Sequence, residues 1–380
     1  MIIRIAALLL LVMLAGCSTV SGWFVKDKTG NEPAELVKFK QTAALNVRWH
    51  HNIGAGGNYV LQPAVTSDAV YAANTKGELF RLDPATGKQV WRVESGFTIS
   101  AGVGAGEGLV VVGGWKGQLA AFATDGTLLW KTKVSSEVLN VAKITDGILV
   151  VRTADGRLSG VDVTDGKRLW LYEHTTPPLI VRSHAGVAIE RGTVFVGLAA
   201  GKLAAISLGS GIVIWETVVS QPRGNTELER ISDITSSPVL DDEQVCAVAF
   251  QGRVACYSLA QGNLLWSRDL SSDKGMNLFH NFLYITNTSG AVLAADKKSG
   301  SSIWKNDQLF MRQTSSPYAF GDHLIVGDYE GYLHALSRED GSLSARLKTD
   351  GSNILATPTE LDGGLLVQTR KGGLYSVTLH

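Results

Sequence analysis

The histidines, serines and threonines of this 380-residue chain are not spaced as a catalytic or metal site would require. His50 and His51 are adjacent, and neighbouring residues of a strand point to opposite faces, so the two rings are not expected to bind one metal ion. The remaining histidines show no spacing that is typical of metal ligands; they are His174, His184, His280, His323, His334 and His380. Thr-Ser-Ser-Pro occurs at 235–238 and again at 314–317, which indicates structural repetition rather than two nucleophiles. We therefore predict no catalytic, cofactor-binding or metal-binding residue.

Cys246 and Cys256 could form a disulfide. If residues 250–252 form a three-residue hairpin loop with Gly252 in the left-handed conformation, the two cysteines face each other across neighbouring strands, where antiparallel chains approach most closely. A two-residue loop would shift the register and separate them. The alternative is a pair of buried thiols that pack as small apolar side chains.

The segment 156–170 contains a unit that recurs along the chain: a turn glycine, a strand with alternating side chains, a second turn, and a strand that ends in tryptophan. Glycine suits the first turn because it adopts positive φ without strain. The turn glycines are Gly77, Gly117, Gly156, Gly201, Gly252, Gly290, Gly331 and Gly372, and the tryptophans in near-constant phase are Trp49, Trp91, Trp130, Trp170, Trp215, Trp266 and Trp304. Ala345 stands where one further tryptophan would be expected. Glycine spacings of 38 to 51 residues are typical of stacked blades or solenoid repeats.

The two ends of the chain predict that this array closes into a ring. Residues 45–50 resemble the outer strand of a blade that lacks its inner strands, and residues 372–379 belong to a blade that lacks its outer strand. Joining them removes open sheet edges, as β-propellers do. We predict an all-β, eight-bladed β-propeller over residues 44–380, with seven blades as the alternative if one weaker repeat is not a blade. The predicted blades are 60–93, 98–134, 137–173, 178–219, 233–270, 276–309, 315–349, and 355–379 with 45–50.

The N-terminal segment is typical of a secreted lipoprotein. Residues 1–16 carry one positive charge and a ten-residue apolar run, which is too short to span a bilayer and matches a signal sequence. Leu-Ala-Gly-Cys at 14–17 resembles a bacterial lipobox, which implies cleavage before Cys17 and lipidation of that cysteine. Ser18 at the next position implies the outer membrane, with the protein facing the periplasm. The alternative is a plain signal peptide with a cysteine there by chance. The residues that follow the cleavage site, 17–43, are predicted to form a flexible tether.

Composition excludes one class of partner and favours a repeat fold. The chain has 35 basic and 35 acidic residues, so it lacks the basic excess of a nucleic-acid-binding protein. Its 42 glycines and nine prolines suit many short strands joined by tight turns. No change in composition divides the chain into separate domains. A repeat array explains how so long a chain can fold without them, because each unit packs only on its neighbours.

Two long steps interrupt the rhythm of the repeats. Residues 220–233 form an insertion, and residues 176–182 lengthen the preceding step. Long loops on a rigid ring are common places for binding sites. Because the two steps are consecutive, we expect their loops to share one face of the ring.

The repeat resembles those of the quinoprotein dehydrogenases, propeller enzymes that carry pyrroloquinoline quinone with calcium and commonly have a pair of adjacent cysteines above the cofactor. In this chain the cysteines of the repeat region are ten residues apart, and no acidic and aromatic clamp for a cofactor is recognisable. A shared fold does not imply a shared function. A periplasmic quinoprotein-like dehydrogenase or ligand-sensing propeller is therefore the second hypothesis.

The lipobox, the tether and the eight repeats together resemble the outer-membrane protein assembly factor B family, which are propeller lipoproteins of the β-barrel assembly machinery in Gram-negative bacteria. Segments 224–233 and 326–334 resemble the family's long loop and a late-blade segment. The resemblance implies a non-enzymatic scaffold without a cofactor. It further implies docking on the POTRA domains of the barrel insertase, association with the other lipoproteins of the complex, and assistance to nascent outer-membrane proteins.

The resemblance also implies a docking surface in the two long loops. The residues that match it are Leu179, Val181, Arg182 and Asp233. Thr235 stands where the family often has a second acid, and Arg230 is a further candidate. Exposed aliphatic side chains beside an arginine are typical of binding anchors. The alternative is that Leu179 and Val181 are buried in the innermost strand of the fourth blade.

Overall fold

The repeats form eight four-stranded antiparallel sheets in the computed structural model, which describes residues 32–141 and 144–380. No α-helix occurs in this part of the chain; one turn of 3-10 helix spans Ala199–Gly201. The eight-bladed count is confirmed and the seven-bladed alternative is wrong. The predicted signal sequence, Cys17 and the start of the predicted tether lie outside the described residues.

Each blade contributes four strands that run outward from the centre of the ring. The first strands are β2 Ala64–Val65, β6 Gly104–Gly106, β10 Val138–Val141, β14 Val187–Glu190, β18 Val239–Leu240, β22 Gly275–Phe279, β26 Tyr318–Phe320 and β30 Thr359–Leu361. The second strands are β3 Val70–Ala73, β7 Leu109–Gly113, β11 Ile148–Thr153, β15 Thr193–Gly197, β19 Gln244–Val248, β23 Phe282–Thr286, β27 His323–Gly327 and β31 Gly364–Gln368. The third strands are β4 Glu78–Leu82, β8 Gln118–Ala123, β12 Leu158–Asp162, β16 Lys202–Ser207, β20 Arg253–Ser258, β24 Val292–Asp296, β28 Tyr332–Ser337 and β32 Gly373–Leu379. The outer strands are β5 Gln89–Glu94, β9 Leu128–Lys133, β13 Arg168–Tyr172, β17 Val213–Val218, β21 Leu264–Asp269, β25 Ser302–Asn306, β29 Leu343–Lys348 and β1 Leu45–Asn52.

The ring closes by pairing its two ends. Strand β1 pairs antiparallel with β32, from Leu45 opposite Leu379 to Asn52 opposite Gly373. The first strand of the chain is therefore the outer strand of the last blade, and the predicted closure is confirmed. The pairing covers the edge of β32 that would otherwise be open.

The core lies between neighbouring blades. In the fourth and fifth blades, the second and third strands bring Phe195, Leu203, Val245 and Tyr257 into one buried cluster. Burying a large apolar side chain stabilises the fold by about 1.5–3 kcal/mol. Because each cluster joins adjacent blades, the sheets are held in register around the ring and the loops at their ends gain a rigid base.

The tryptophans form a girdle of hydrogen bonds from blade to blade. Each donates from its indole Nε1 to a backbone carbonyl in the next blade, at 2.6–3.2 Å. The pairs are Trp49–Pro84, Trp91–Thr124, Trp130–Val163, Trp170–Leu208, Trp215–Leu259, Trp266–Lys297 and Trp304–Arg338. The ring lies over the glycine of the receiving turn; a Cβ at Gly211 would come within 2.8 Å of Trp170. The tryptophans therefore recur at nearly the same place in each repeat because each makes the same contact with the next blade.

The outer strand of the seventh blade makes no such tryptophan hydrogen bond, and the two ends of the chain account for the difference. Its outer strand has the buried Ala345 in place of tryptophan, and the blade that follows is the one closed by two chain ends. Residues 34–43, which we call the strap, lie along this outer strand. The amides of Thr42 and Ala43 donate to the carbonyl of Ser344 at 3.0 and 3.2 Å. The prediction of a flexible tether is thus wrong for the strap, because its own side chains and amides find partners on the seventh blade.

The turn glycines adopt the left-handed conformation in all blades but one. Their φ values lie between 70° and 95°, whereas Gly252 is outside this region and Gln251 has a φ of 51°. The expectation of a left-handed Gly252 was wrong. A Cβ at Gly252 would approach the Ser220 hydroxyl within 2.4 Å, so close packing accounts for the glycine there.

The hairpin loop nevertheless has the three residues that bring the cysteines together. The amide of Ala249 donates to the carbonyl of Arg253 at 2.9 Å, and Cys246 lies directly opposite Cys256 in strands β19 and β20. The two Cα atoms are 4.0 Å apart and the sulfur atoms are joined as a disulfide. Both residues are fully buried against the sixth blade.

Candidate functional site

Two long loops flank the fourth blade on one face of the ring. The first long loop, residues 173–186, connects β13 to β14, and the second long loop, residues 219–238, connects β17 to β18. Both lead from an outer strand to the first strand of the next blade, and in antiparallel blades such connections leave on the same face. This arrangement places the candidate residues of both loops on one side of the molecule.

The first long loop presents its candidate residues outside the sheet. The fourth blade begins at Val187, not at the predicted residue 178, so the alternative that buries Leu179 and Val181 in an innermost strand is wrong. Leu179 is 41% exposed and Val181 is partly buried. An apolar side chain held at the surface by an irregular loop is available to a partner.

Asp233 supports this loop from beneath and is not itself exposed. Only 4% of its surface is accessible. One carboxylate oxygen accepts the amide of Val181 at 2.6 Å, and the other accepts the amide of Ala200 at 2.9 Å. Charge-assisted bonds of this kind are stronger than neutral ones. The sequence predicted Asp233 as a residue of the docking surface itself; the structure instead places it beneath that surface, where it holds Val181.

Arg182 is fixed beside Leu179 by two contacts. Its guanidinium donates to the carboxylate of Glu137 at 2.6 Å, and this hydrogen bond raises the pKa of Arg182. The same guanidinium lies 5.4 Å from the ring centroid of Tyr59. Tyr59 in turn meets His184 edge to face at 6.4 Å. The arginine remains half exposed, so it can offer its outer N–H groups to a ligand.

Arg230 belongs to a compact turn in the second long loop. Its Nε donates to the carbonyl of Gly224 at 3.1 Å, and Glu229 accepts the amides of Asn225 and Thr226 at 2.8 and 3.1 Å. Those backbone hydrogen bonds lower the pKa of Glu229. The turn presents Leu228, the most exposed leucine among the described residues, at 67%. The second loop therefore adds an apolar contact close to the charged candidate.

A cavity of about 170 Å³ lies under the first long loop. Arg152 and Leu198 line it from the third and fourth blades, and Val181 lines it from the loop. Burial lowers the pKa of Arg152 to about 10, while the charge of Asp233 acts in the opposite direction. Arg152 also donates to the carbonyl of Ala185 at 3.1 Å. The base of the loop thus contains a partly buried cation and a buried anion that tie both neighbouring blades to it.

The centre of the ring holds a second cavity, of about 480 Å³. Its walls carry residues 235–237 and 314–317 of the two Thr-Ser-Ser-Pro segments, so their repetition places them around the channel. In the described part of the chain, no group of three or more His, Cys, Asp or Glu side chains is arranged to hold a metal ion. His50 stacks on Tyr375 with ring centroids 4.4 Å apart, which gives it a packing role. Nor does that part contain a helix long and apolar enough to cross a membrane.

Several residues of this surface were not identified from the sequence. Glu137, Tyr59 and Arg152 come from other blades, and Leu228 lies in a charged segment. Glu137 and Arg152 lie in the third blade, next to the first long loop, and Tyr59 reaches that loop from the first blade. The charged residues on both sides of Leu228 were the one available signal, because a lone leucine in such a segment has no core position to occupy.

The ring and its tryptophan-bearing repeats define this molecule as an eight-bladed β-propeller of the quinoprotein type. A quinohemoprotein alcohol dehydrogenase from Comamonas testosteroni has the same fold, with a TM-score of 0.72 at 13% identity over 88% of this chain and 76% of that one. Identity this low shows the fold alone.

Comparisons with more similar proteins identify the family of this chain. The family model of outer membrane protein assembly factor BamB matches residues 75–306. A BamB from Nitrosomonas eutropha is 43% identical over 388 residues, which cover 99% of this chain and 95% of the relative. The crystal structure of BamB from Moraxella catarrhalis superposes with a TM-score of 0.81 at 25% identity, over 88% of this chain and 99% of that one. This chain belongs to the BamB family of outer-membrane protein assembly factors.

Proposed function

We propose that this protein is a non-enzymatic scaffold of the outer-membrane β-barrel assembly complex. It docks on the periplasmic POTRA domains of the barrel insertase through the two long loops and works beside the other lipoproteins of that complex. It assists nascent outer-membrane proteins on their way into the membrane. Lipidated Cys17 would hold it to the periplasmic face of the outer membrane.

One observation carries the docking proposal: the hydrogen bond from the amide of Val181 to the buried carboxylate of Asp233. It fixes a surface loop to the ring, and the loop holds Leu179 and Arg182 at the surface without support from a partner. A surface that is ordered before binding loses less entropy on association than a mobile one. Leucine and arginine together supply an apolar contact and a charged donor, a combination suited to a protein partner.

The second candidate, a quinoprotein-like dehydrogenase or a ligand sensor, is favoured only by the fold. The channel cavity has room for a small molecule. Its walls carry Ser, Thr, Asn and Gln side chains, together with Arg182, His184 and one ion pair, Lys274–Asp273 at 2.8 Å. Asp273 is the one carboxylate among these lining residues, whereas a calcium-bound cofactor needs several carboxylate oxygens. We therefore propose no cofactor, metal or nucleic acid as a ligand.

Co-purification from solubilised outer membranes tests the proposal. The wild-type chain is expected to bring down the barrel insertase, and the Leu179→Ala, Arg182→Glu double variant is expected to lose most of it. A matched control is Val90→Ala with Arg92→Glu, which changes an exposed aliphatic and an ion-paired arginine on the first blade. This control is expected to retain the insertase.

Two outcomes would reject the proposal. One is the absence of the insertase from the wild-type preparation, and the other is equal recovery with the two double variants. The absorption spectrum of the same preparation tests the second candidate. A bound quinone cofactor absorbs at longer wavelengths than the protein's own band. Such a band would support the enzyme and contradict the scaffold.

A further inference from the structure

The strap, residues 34–43, is bound to the ring along its whole length. At its start the amide of Ala34 donates to the carbonyl of Phe310 at 2.9 Å. Near its middle, Val37 and Phe39 pack against the apolar cluster between the sixth and seventh blades. At its end Ala44 pairs with His380 and leads into β1.

A buried ion pair holds the start of the strap. Arg312 is 3% exposed at its side chain and donates to Asp328, which is fully buried, at 2.8 Å. The same guanidinium donates to the carbonyl of Ala34 at 2.9 Å and also contacts Glu330. Removing one partner of a buried ion pair is costly, so this arginine is confined to the position in which it reaches the strap.

A second arginine holds the middle of the strap. Arg346 donates to the carbonyl of Val37 at 3.1 Å and lies 4.9 Å from the ring centroid of Phe39. It also donates to Nδ1 of the buried His334 at 3.2 Å. Because His334 contacts Asp328 at 3.0 Å, both arginines belong to one network.

The strap determines where the N-terminal chain leaves the ring. Phe310 lies in the connection between the sixth and seventh blades, on the same face as the two long loops. Those loops flank the fourth blade, so the exit point lies two to three blades round the ring from the proposed docking surface. Among the described residues, contact with the ring therefore begins at Ala34, 17 residues after Cys17, and not at Leu45, 28 residues after it. At full extension these lengths span at most about 60 Å and about 100 Å.

We propose that the strap makes the rim of the sixth and seventh blades the part of the ring nearest the lipid surface, leaving the fourth blade farther from that surface and free for the partner. This inference rests on the lipid anchoring in the proposed function. A bound strap shortens the tether and fixes its point of attachment, which restricts the orientations that the anchored ring can adopt.

Fluorescence quenching on vesicles tests this geometry with the full lipidated chain. Single cysteines replace Gln308, at the rim near the exit, or Ser135, on the same face near the third blade, and both positions are exposed. Each is labelled under non-reducing conditions and bound to vesicles that carry a nitroxide headgroup lipid. The label at 308 is expected to be quenched about twofold more than the label at 135, because a short tether keeps its attachment point near the bilayer. The Val37→Gly, Phe39→Gly variant is expected to bring the two values together.

Equal quenching at the two positions with the strap intact, or stronger quenching at 135, would overturn the inference. Hydrogen exchange in the same variants, without vesicles, decides separately whether the strap is bound. The amides of Ala34, Thr42 and Ala43 are expected to be protected in the wild type and to exchange faster in the double variant, and unprotected amides in the wild type would also overturn it. A lipidated chain that fails to bind vesicles would instead contradict the anchoring in the proposed function.

Discussion

The carboxylate of Asp233 accepts a hydrogen bond at 2.6 Å from the amide of Val181, a residue 52 positions earlier in the chain. This contact joins the two long loops across the fourth blade. A second bond from the amide of Ala200 fixes the carboxylate to the turn of the blade between them. The surface that carries Leu179 and Arg182 therefore depends on a residue that is buried beneath it.

Asp233→Asn should weaken the surface without removing an exposed group. The amide has one acceptor oxygen in place of two, so one of the backbone donors loses its partner. Leaving a buried donor unsatisfied costs about 1–3 kcal/mol of unfolding free energy. Chemical denaturation measures this loss. The affinity of the purified variant for the insertase should also fall, by about tenfold for each 1.4 kcal/mol by which the loop's position on the ring is destabilised. Unchanged stability and binding would show that the loop holds its position by itself.

Trp170→Ala should be among the most destabilising single changes in the girdle. It removes the hydrogen bond to the carbonyl of Leu208 and uncovers the core between the third and fourth blades. Large-to-small changes of a buried aromatic residue cost about 3–5 kcal/mol. Restoring the repeat pattern with Ala345→Trp should also destabilise the fold, by about 1–3 kcal/mol, because the site is already filled. Thermal unfolding of both variants checks this pair, and a stabilising Ala345→Trp would show that the site around Ala345 has room for the larger ring.

The ring could be predicted because its signals are local and repeated. Each glycine and tryptophan occupies the same place in its own blade, and the incomplete repeats at the two ends showed how the ring closes. The strap could not be predicted, since residues 34–43 have no period and their partners, Arg312 and Arg346, are about 300 positions away. Asp233 was identified because the sequence resembles the family. Its burial could not be predicted, because it depends on how the turn at Ala200 folds. Irregular segments held by distant side chains leave no pattern in the sequence.

The buried His334 should make stability depend on pH. Arg346 donates to its Nδ1, so the proton is on Nε2 and is donated to Asp328. Burial lowers the pKa of His334 below its ordinary value of 6.5. The unfolded chain therefore binds this proton first as pH falls below about 6.5, and the free energy of unfolding decreases there by up to about 1.4 kcal/mol per pH unit.

Urea denaturation between pH 5 and pH 8 measures this dependence. The wild type should lose stability below about pH 6.5, and His334→Gln should show a smaller slope because one of the titrating groups is absent. The other histidines whose pKa is lowered by burial, His51, His174, His184 and His323, remain in both proteins and contribute equally. Parallel curves for the two proteins would contradict the neutral assignment of His334.

The disulfide between Cys246 and Cys256 should stabilise the fifth blade. It closes a loop of ten residues, and the entropy removed from the unfolded chain corresponds to about 2–3 kcal/mol. Equilibrium unfolding with reductant should lower the wild-type denaturation midpoint. The Cys246→Ala, Cys256→Ala variant should have a lower midpoint with or without reductant. A wild-type midpoint that ignores reductant would show that the thiols are not joined.

Site-specific photocrosslinking in living cells tests the proposed docking surface most directly. A photoreactive phenylalanine analogue placed at Leu179 or at Leu228 should give an adduct with the barrel insertase. The same analogue at Ile303, an equally exposed position on the outer strand of the sixth blade, should give none. An insertase adduct from position 303 with none from position 179 would contradict the docking of this protein through its long loops.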